Sequence, residues 1–107
     1  MNNLPEETIS VIILSYKNFD YIYEAIDSVF EQSYPSIELI IADDCSENYP
    51  GELLQKYIQE NKRKNILSCC VYSNSTNYGT VKNLNTAIKI SLGCEDTYNA
   101  STNEKLL

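Results

Sequence analysis

The sequence predicts an α/β fold, a Rossmann-like three-layer sandwich around a parallel sheet in the order β-α-β-α-β-α. Two runs, Ile9-Ser10-Val11-Ile12-Ile13-Leu14 and Glu38-Leu39-Ile40-Ile41-Ala42, are apolar almost throughout, as strands buried on both faces require. Segments of helical periodicity follow each of them and recur after a third strand-like stretch. Strands that alternate with helices build parallel sheets with right-handed crossovers.

Each element has its own signal. Ile9 to Ser15 is the first strand. Phe19 to Gln32 carries Ile22, Ile26, Val29 and Phe30 at helical spacing, with Asp20 or Asn18 available to cap its start and Pro35 just past its end. Glu38 to Ala42 is the second strand. Pro50 suits the first turn of a second helix, where its missing N–H costs nothing, and Leu53, Leu54, Tyr57 and Ile58 predict that helix's inner stripe. Lys62-Arg63-Lys64 then falls at the helix end favoured by the dipole, so the cluster reads as a solvated terminus. Ile66 to Tyr72 is the third strand. Asn74 to Gly79 is a polar loop, with Gly79 available for a positive φ. Thr80 to Leu92 predicts a helix with Val81, Leu84, Ile88 and Leu92 on its buried face and Ala87 beside them, capped by Gly93.

The 107 residues suffice for one small domain with a core, here residues 1–93, and the polar, aperiodic stretch 94–107 is expected to be poorly ordered. The formal charge of −7 and the single basic cluster argue against a nucleic-acid surface. An acidic chain that binds an anionic ligand needs a metal ion or local donors to offset repulsion. Met1 to Glu7 lacks a basic start and a long apolar stretch, and no run is long enough to cross a bilayer, which predicts a cytoplasmic location. In that setting the glycosylation patterns at Asn74-Ser75-Thr76 and Asn99-Ala100-Ser101 read as chance matches. Cys45, Cys69, Cys70 and Cys94 show no CxxC spacing and the chain has no histidine, so structural thiols are favoured over zinc, redox or nucleophilic roles.

Function is sought at the carboxyl ends of the strands, where open α/β sheets bind ligands. The first strand ends in Ser15-Tyr16-Lys17-Asn18 and the second in Asp43-Asp44-Cys45-Ser46, so an aromatic hydroxyl and a carboxylate pair face one crevice. A dinucleotide fold needs a glycine-rich turn after the first strand, and Ser15 to Asp20 contains no glycine. The same absence argues against a P-loop and a nucleotidyltransferase-like domain. A phospho-receiver domain places its acceptor carboxylate at the end of another strand, whereas the third strand here ends in Tyr72-Ser73-Asn74.

The segments Ile9 to Tyr16, Ala25-Ile26-Asp27-Ser28-Val29-Phe30-Glu31-Gln32-Ser33-Tyr34-Pro35 and Glu38 to Ser46 resemble the opening of a family 2 glycosyltransferase with the GT-A fold. Asn77-Tyr78-Gly79, Asn83 and Asn85 resemble that family's next landmark, a loop and helix under the donor site. The resemblance covers roughly residues 8–93 and implies a truncated GT-A fold, the N-terminal part that binds a nucleotide-sugar donor, usually a UDP-sugar. Carried over by position, it implies that the Leu14 main chain and Tyr16 flank the uracil and that Asp44 accepts from the ring N–H. Asp43 would support the turn or the ribose side, with a structural role favoured. Asn77 and Gly79 read as loop-shaping residues, and Lys17 and Lys82 as surface charges within reach of a diphosphate. Mg²⁺ or Mn²⁺ is expected in the complete enzyme, held by an Asp-x-Asp motif after a fourth strand. Glu95 and Asp96 follow no such strand, so no metal ligand and no catalytic base is assigned. The resemblance thus implies a glycosyltransferase that transfers sugar to a glycan or other hydroxyl acceptor, in polysaccharide biosynthesis, with this chain inactive alone. A non-catalytic interaction domain that kept only the scaffold is the alternative. The unpaired first strand is expected to promote self-association.

Overall fold

The computed structural model describes residues 7–17 and 19–92, with only the backbone of Leu92. The proposed caps Asn18 and Gly93, the stretch 94–107 with Cys94, Glu95 and Asp96, and the Leu92 side chain lie outside the described residues.

The elements are β1 (Ile9–Ser15), α1 (Asp20–Phe30), β2 (Ile37–Asp43), α2 (Gly51–Asn61), β3 (Ile66–Ser73) and α3 (Thr80–Leu92). The three strands are parallel in the order β1-β2-β3, giving a Rossmann-like α/β architecture, as expected of the N-terminal part of a GT-A fold. All seven residues of β2 are buried, as its central place and its apolar sequence demand.

Alternation along the strands sorts the core into two layers. Ile13, Leu39, Ile41 and Val71 pack against Ile22, Ile26, Val29 and Phe30 of α1 and Leu54 and Ile58 of α2. Ile40, Ala42 and Tyr72 pack on the other face against Ala87 and Ile90 of α3, with Ile12 and Leu14 beside them. A register shift between Ile37 and Glu38 marks an irregularity in the β2–β3 ladder.

Four sequence-based expectations need correction. Asp20 does not cap α1. Phe19 occupies the N-cap without a side-chain hydrogen bond, and Asp20 sits in the first turn, where its charge suits the dipole. Pro50 is the N-cap of α2, one position before the helix proper, and Leu53 is 63% exposed because the sheet-facing direction runs through Leu54 and Ile58. The face of α3 differs most. Asn83, Ala87 and Ile90 are buried, whereas Val81, Leu84 and Ile88 are exposed. Asn83 takes the inward position because hydrogen bonds satisfy its amide there.

Among the described residues, β1 and β3 are the two sheet edges. β1 carries no charge or proline along its seven residues, so its outer edge lacks the usual guards against pairing. No helix among the described residues is long and apolar enough to cross a membrane.

Candidate functional site

A cleft of about 330 Å³ opens where β1 and β2 end, lined by Leu14, Ser15, Tyr16, Asp44, Asn77, Gly79, Thr80 and Asn83. The sequence-selected residues Leu14, Tyr16 and Asp44 meet there. Asp43 is not among the lining residues. The Tyr16 ring is 45% exposed and forms one wall.

Asp43 is completely buried and ties the three strand ends together. Its Oδ1 accepts from Ser15 Oγ at 2.8 Å and Ser46 Oγ at 2.7 Å. Its Oδ2 accepts from Ser46 N at 2.7 Å and Ser73 Oγ at 2.7 Å. Four donors on one carboxylate satisfy a charge that would otherwise be too costly to bury. The serines come from positions in register with it, since Ser15 and Ser73 flank Asp43 across the ladder. Aligning the three strands by their carboxyl ends is the sequence signal that finds them.

Asp44 has a second, separate set of partners. Oδ1 accepts from Asn74 Nδ2 at 3.0 Å and Tyr78 N at 2.8 Å, and Oδ2 accepts from Gly79 N at 2.7 Å. Thr80 opens α3, so the Asp44 carboxylate lies at that helix's N-terminus, the end that favours negative charge. A carboxylate offers about four acceptor positions, and the donors among the described residues leave one on Oδ2 for a donor from the cleft. Gly79 has φ +91°, a conformation that glycine adopts without a steric penalty.

Asn83 links the loop to the sheet. Its Nδ2 donates to the Ala42 carbonyl at 3.0 Å and its Oδ1 accepts from Asn74 Nδ2 at 2.9 Å. The sequence reading gave no site role to Ser15 or Thr80 in the lining, or to Ser46, Ser73 and Asn74 behind it, and it named Asn83 only as part of a landmark under the donor site. Lys17 Nζ stands 5.0 Å from the ring centroid of Tyr16, a lining residue, and Lys82 Nζ 4.7 Å from that of Tyr78, next to the lining residues Asn77 and Gly79.

Around the site, burial raises the Tyr21 and Tyr49 phenols, with the Asp43 charge adding to it. Tyr21 OH donates to the Leu14 carbonyl, and the Tyr49 ring meets Phe19 edge-on at 5.8 Å. Burial also raises Cys69 and pushes Cys70 up to about 12, which keeps both thiols protonated.

Among the described residues no cluster of His, Cys, Asp or Glu is arranged to hold a metal ion. N–H and O–H donors also converge on the Asp43 and Asp44 carboxylates. These residues therefore do not fit a divalent cation.

Comparison with known proteins agrees with this architecture. The profile of Glycosyl transferase family 2 matches residues 10–93. TuaG of Bacillus subtilis, named for teichuronic acid biosynthesis, is 41% identical over 59 residues, 55% of this chain and 23% of its own length. A glycosyltransferase of Haemophilus influenzae without further assignment is 34% identical over 94 residues, 88% of this chain and 26% of that protein. WfaP of Escherichia coli, named as a UDP-Glc:alpha-D-GlcNAc-diphosphoundecaprenol beta-1,3-glucosyltransferase, is 33% identical over 87 residues, 81% of this chain and 32% of its own length. The chain thus spans about a quarter to a third of these relatives. No solved structure matches it significantly.

Proposed function

We propose a donor-binding role for this cleft from one premise: the chain belongs to glycosyl transferase family 2. The cleft binds the nucleotide of a nucleotide-sugar, with a uracil base against Tyr16. The observation that carries this reading is the convergence of an exposed aromatic face and a positioned carboxylate on one cavity. A uracil stacks on the Tyr16 ring and donates its imide N–H to the open position on Asp44 Oδ2. The other three hydrogen bonds to Asp44 hold that acceptor in place. Thr80 and Asn77 in the lining, with Lys17 and Lys82 beside the Tyr16 and Tyr78 rings, offer donors and charge to ribose and diphosphate. The Escherichia coli relative, whose name states UDP-Glc as donor, favours uracil over other bases.

The whole protein's reaction is transfer of the sugar to a hydroxyl of a glycan or other acceptor. A divalent metal and a general base belong to that reaction, and among the described residues no cluster is arranged to hold the metal. The proposal for this chain by itself is donor binding without turnover.

Titration of the ¹⁵N-labelled chain with UDP, GDP and TDP sugars tests the reading. Selective UDP-dependent shifts at Tyr16, Asp44 and Gly79 support it. Silence with all three favours a scaffold that serves only protein contacts, an alternative to which the exposed apolar flank of α3 gives a physical basis.

A further inference from the structure

Tyr16 is half-exposed, yet the backbone on both sides of it is fixed. On one side, Ser15 is held twice, through its Oγ on Asp43 and through its carbonyl, which accepts from Asp44 N at 3.0 Å. On the other side, Lys17 N–H donates to Ser46 Oγ at 2.7 Å. Lys17 has φ +70°, a left-handed conformation uncommon for a residue with a side chain. Such a conformation persists when surrounding contacts over-determine it. Here the contact is the Ser46 hydroxyl, which itself donates a hydrogen bond to Asp43 Oδ1 while Ser46 N–H donates to Oδ2. The segment bearing Ser46 has the same character, with Cys45 at φ +69° and Asn48 at +58°.

We propose that Ser46, anchored on Asp43, is the positioning residue for Tyr16: it latches the turn after β1 so that the aromatic ring stands ready in the cleft before any nucleotide arrives. Ser46 does not line the cleft and acts only through the backbone of Lys17. A ring carried on a fixed backbone loses less freedom on binding than one on a mobile turn, and preorganisation of this kind appears as affinity. Asp43 then has a role beyond joining strands, because the latch and the β1 terminus share its carboxylate. The inference deepens the donor-site reading and rests on it for the identity of the ligand.

The test is a double-mutant cycle with UDP as the probe, joined to amide hydrogen exchange without ligand. Ser46→Ala is expected to speed exchange at the Lys17 amide and to weaken UDP about tenfold, and Ser46→Thr, which keeps the hydroxyl, is expected to restore both. In a Tyr16→Ala background, Ser46→Ala should cause no further loss of UDP affinity, since it acts through the ring already removed. Additive losses, or a Lys17 amide that exchanges freely in the native chain, would overturn the latch. If the native chain binds no UDP, the donor reading fails, and the latch is then decided by Lys17 exchange in the native, Ala and Thr chains. If Ser46→Ala does not fold, the native Lys17 amide and the Thr variant decide it.

Discussion

The carboxylates of Asp43 and Asp44, neighbours in sequence, draw on separate sets of hydrogen-bond donors among the described residues. Asp43 gathers three serines from the ends of β1 and β3 and from the turn after β2. Asp44 gathers the loop that leads into α3. Successive side chains of an extended segment turn to opposite sides, so one pair of acidic residues organises both layers above the sheet's carboxyl edge. One carboxylate is spent entirely inside the protein, and the other keeps one acceptor position at the cleft.

Replacing Asp43 should therefore damage the fold more than any change in the cleft lining. Asp43→Ala strands three buried or half-buried hydroxyls and one N–H, and a loss of about 3 kcal/mol or more is expected. Asp43→Asn keeps the shape but turns a donor toward donors, and should lose almost as much. Urea unfolding followed by circular dichroism measures both. A loss below about 1 kcal/mol for Asp43→Ala would contradict the network.

Tyr16→Ala should separate binding from stability. The ring is half in solvent, so stability is expected to change by no more than about 0.5 kcal/mol. Base–aromatic stacking is worth about 1–3 kcal/mol, so UDP affinity should fall roughly ten- to hundredfold. Calorimetric titration beside thermal unfolding of the same sample reads both quantities.

Asn83→Leu tests why α3 faces the sheet as it does. A hydropathy pattern prefers leucine at this inward position, yet the substitution removes the amide donor to the Ala42 carbonyl and one of the two acceptors of Asn74 Nδ2. A loss of about 1–3 kcal/mol is expected in chemical unfolding, with faster amide exchange at Tyr78 and Gly79. A stabilised variant would show that the amide network is dispensable.

That position also marks where the sequence was legible and where it was not. The three strands were legible because runs such as Leu39-Ile40-Ile41-Ala42 leave no polar face, and α1 because Ile22, Ile26, Val29 and Phe30 form a single stripe. The α3 stripe misled because periodicity weighs each side chain by hydropathy alone. Val81, Leu84 and Ile88 outscore Asn83, whose burial depends on acceptors and donors from β2 and the following loop. Leu53 misled for a simpler reason, since a step of one residue turns 100° around a helix. In the site, the meeting of Tyr16 with Asp44 followed from parallel strands ending at one edge. The serines around Asp43 did not, because their partnership depends on the register between strands.

Stability should also report the buried thiols and phenols. Cys70, with an ordinary value of 9.0, is pushed up to about 12 by burial and then by Cys69 and Glu38, and burial raises Tyr49 and Tyr72 as well. The folded chain keeps these protons where the unfolded chain releases them. Stability is thus full below about pH 9 and falls as the pH climbs from 9 toward 12. Unfolding free energies at pH 8, 9.5 and 11 should decline in that order, and Cys70→Ala should flatten the decline. A curve level across that range would contradict the thiol's burial.

The open edge of β1 predicts association with a second copy. Its seven uncharged residues are self-complementary in an antiparallel pair about a two-fold axis, and the exposed Ile9 lies at one end. Sedimentation velocity should show weight-average mass rising with concentration, and Ile9→Lys should suppress the rise. A strictly monomeric native chain at high concentration would argue against pairing through β1.

The most direct measurement is the set of intermolecular nuclear Overhauser contacts between UDP and the chain at saturating nucleotide. Contacts from the uracil H5 and H6 protons to the Tyr16 ring, with further contacts from the ribose to Thr80 or Asn77, are the predicted result. A bound UDP whose uracil contacts other residues and leaves Tyr16 untouched would contradict the account.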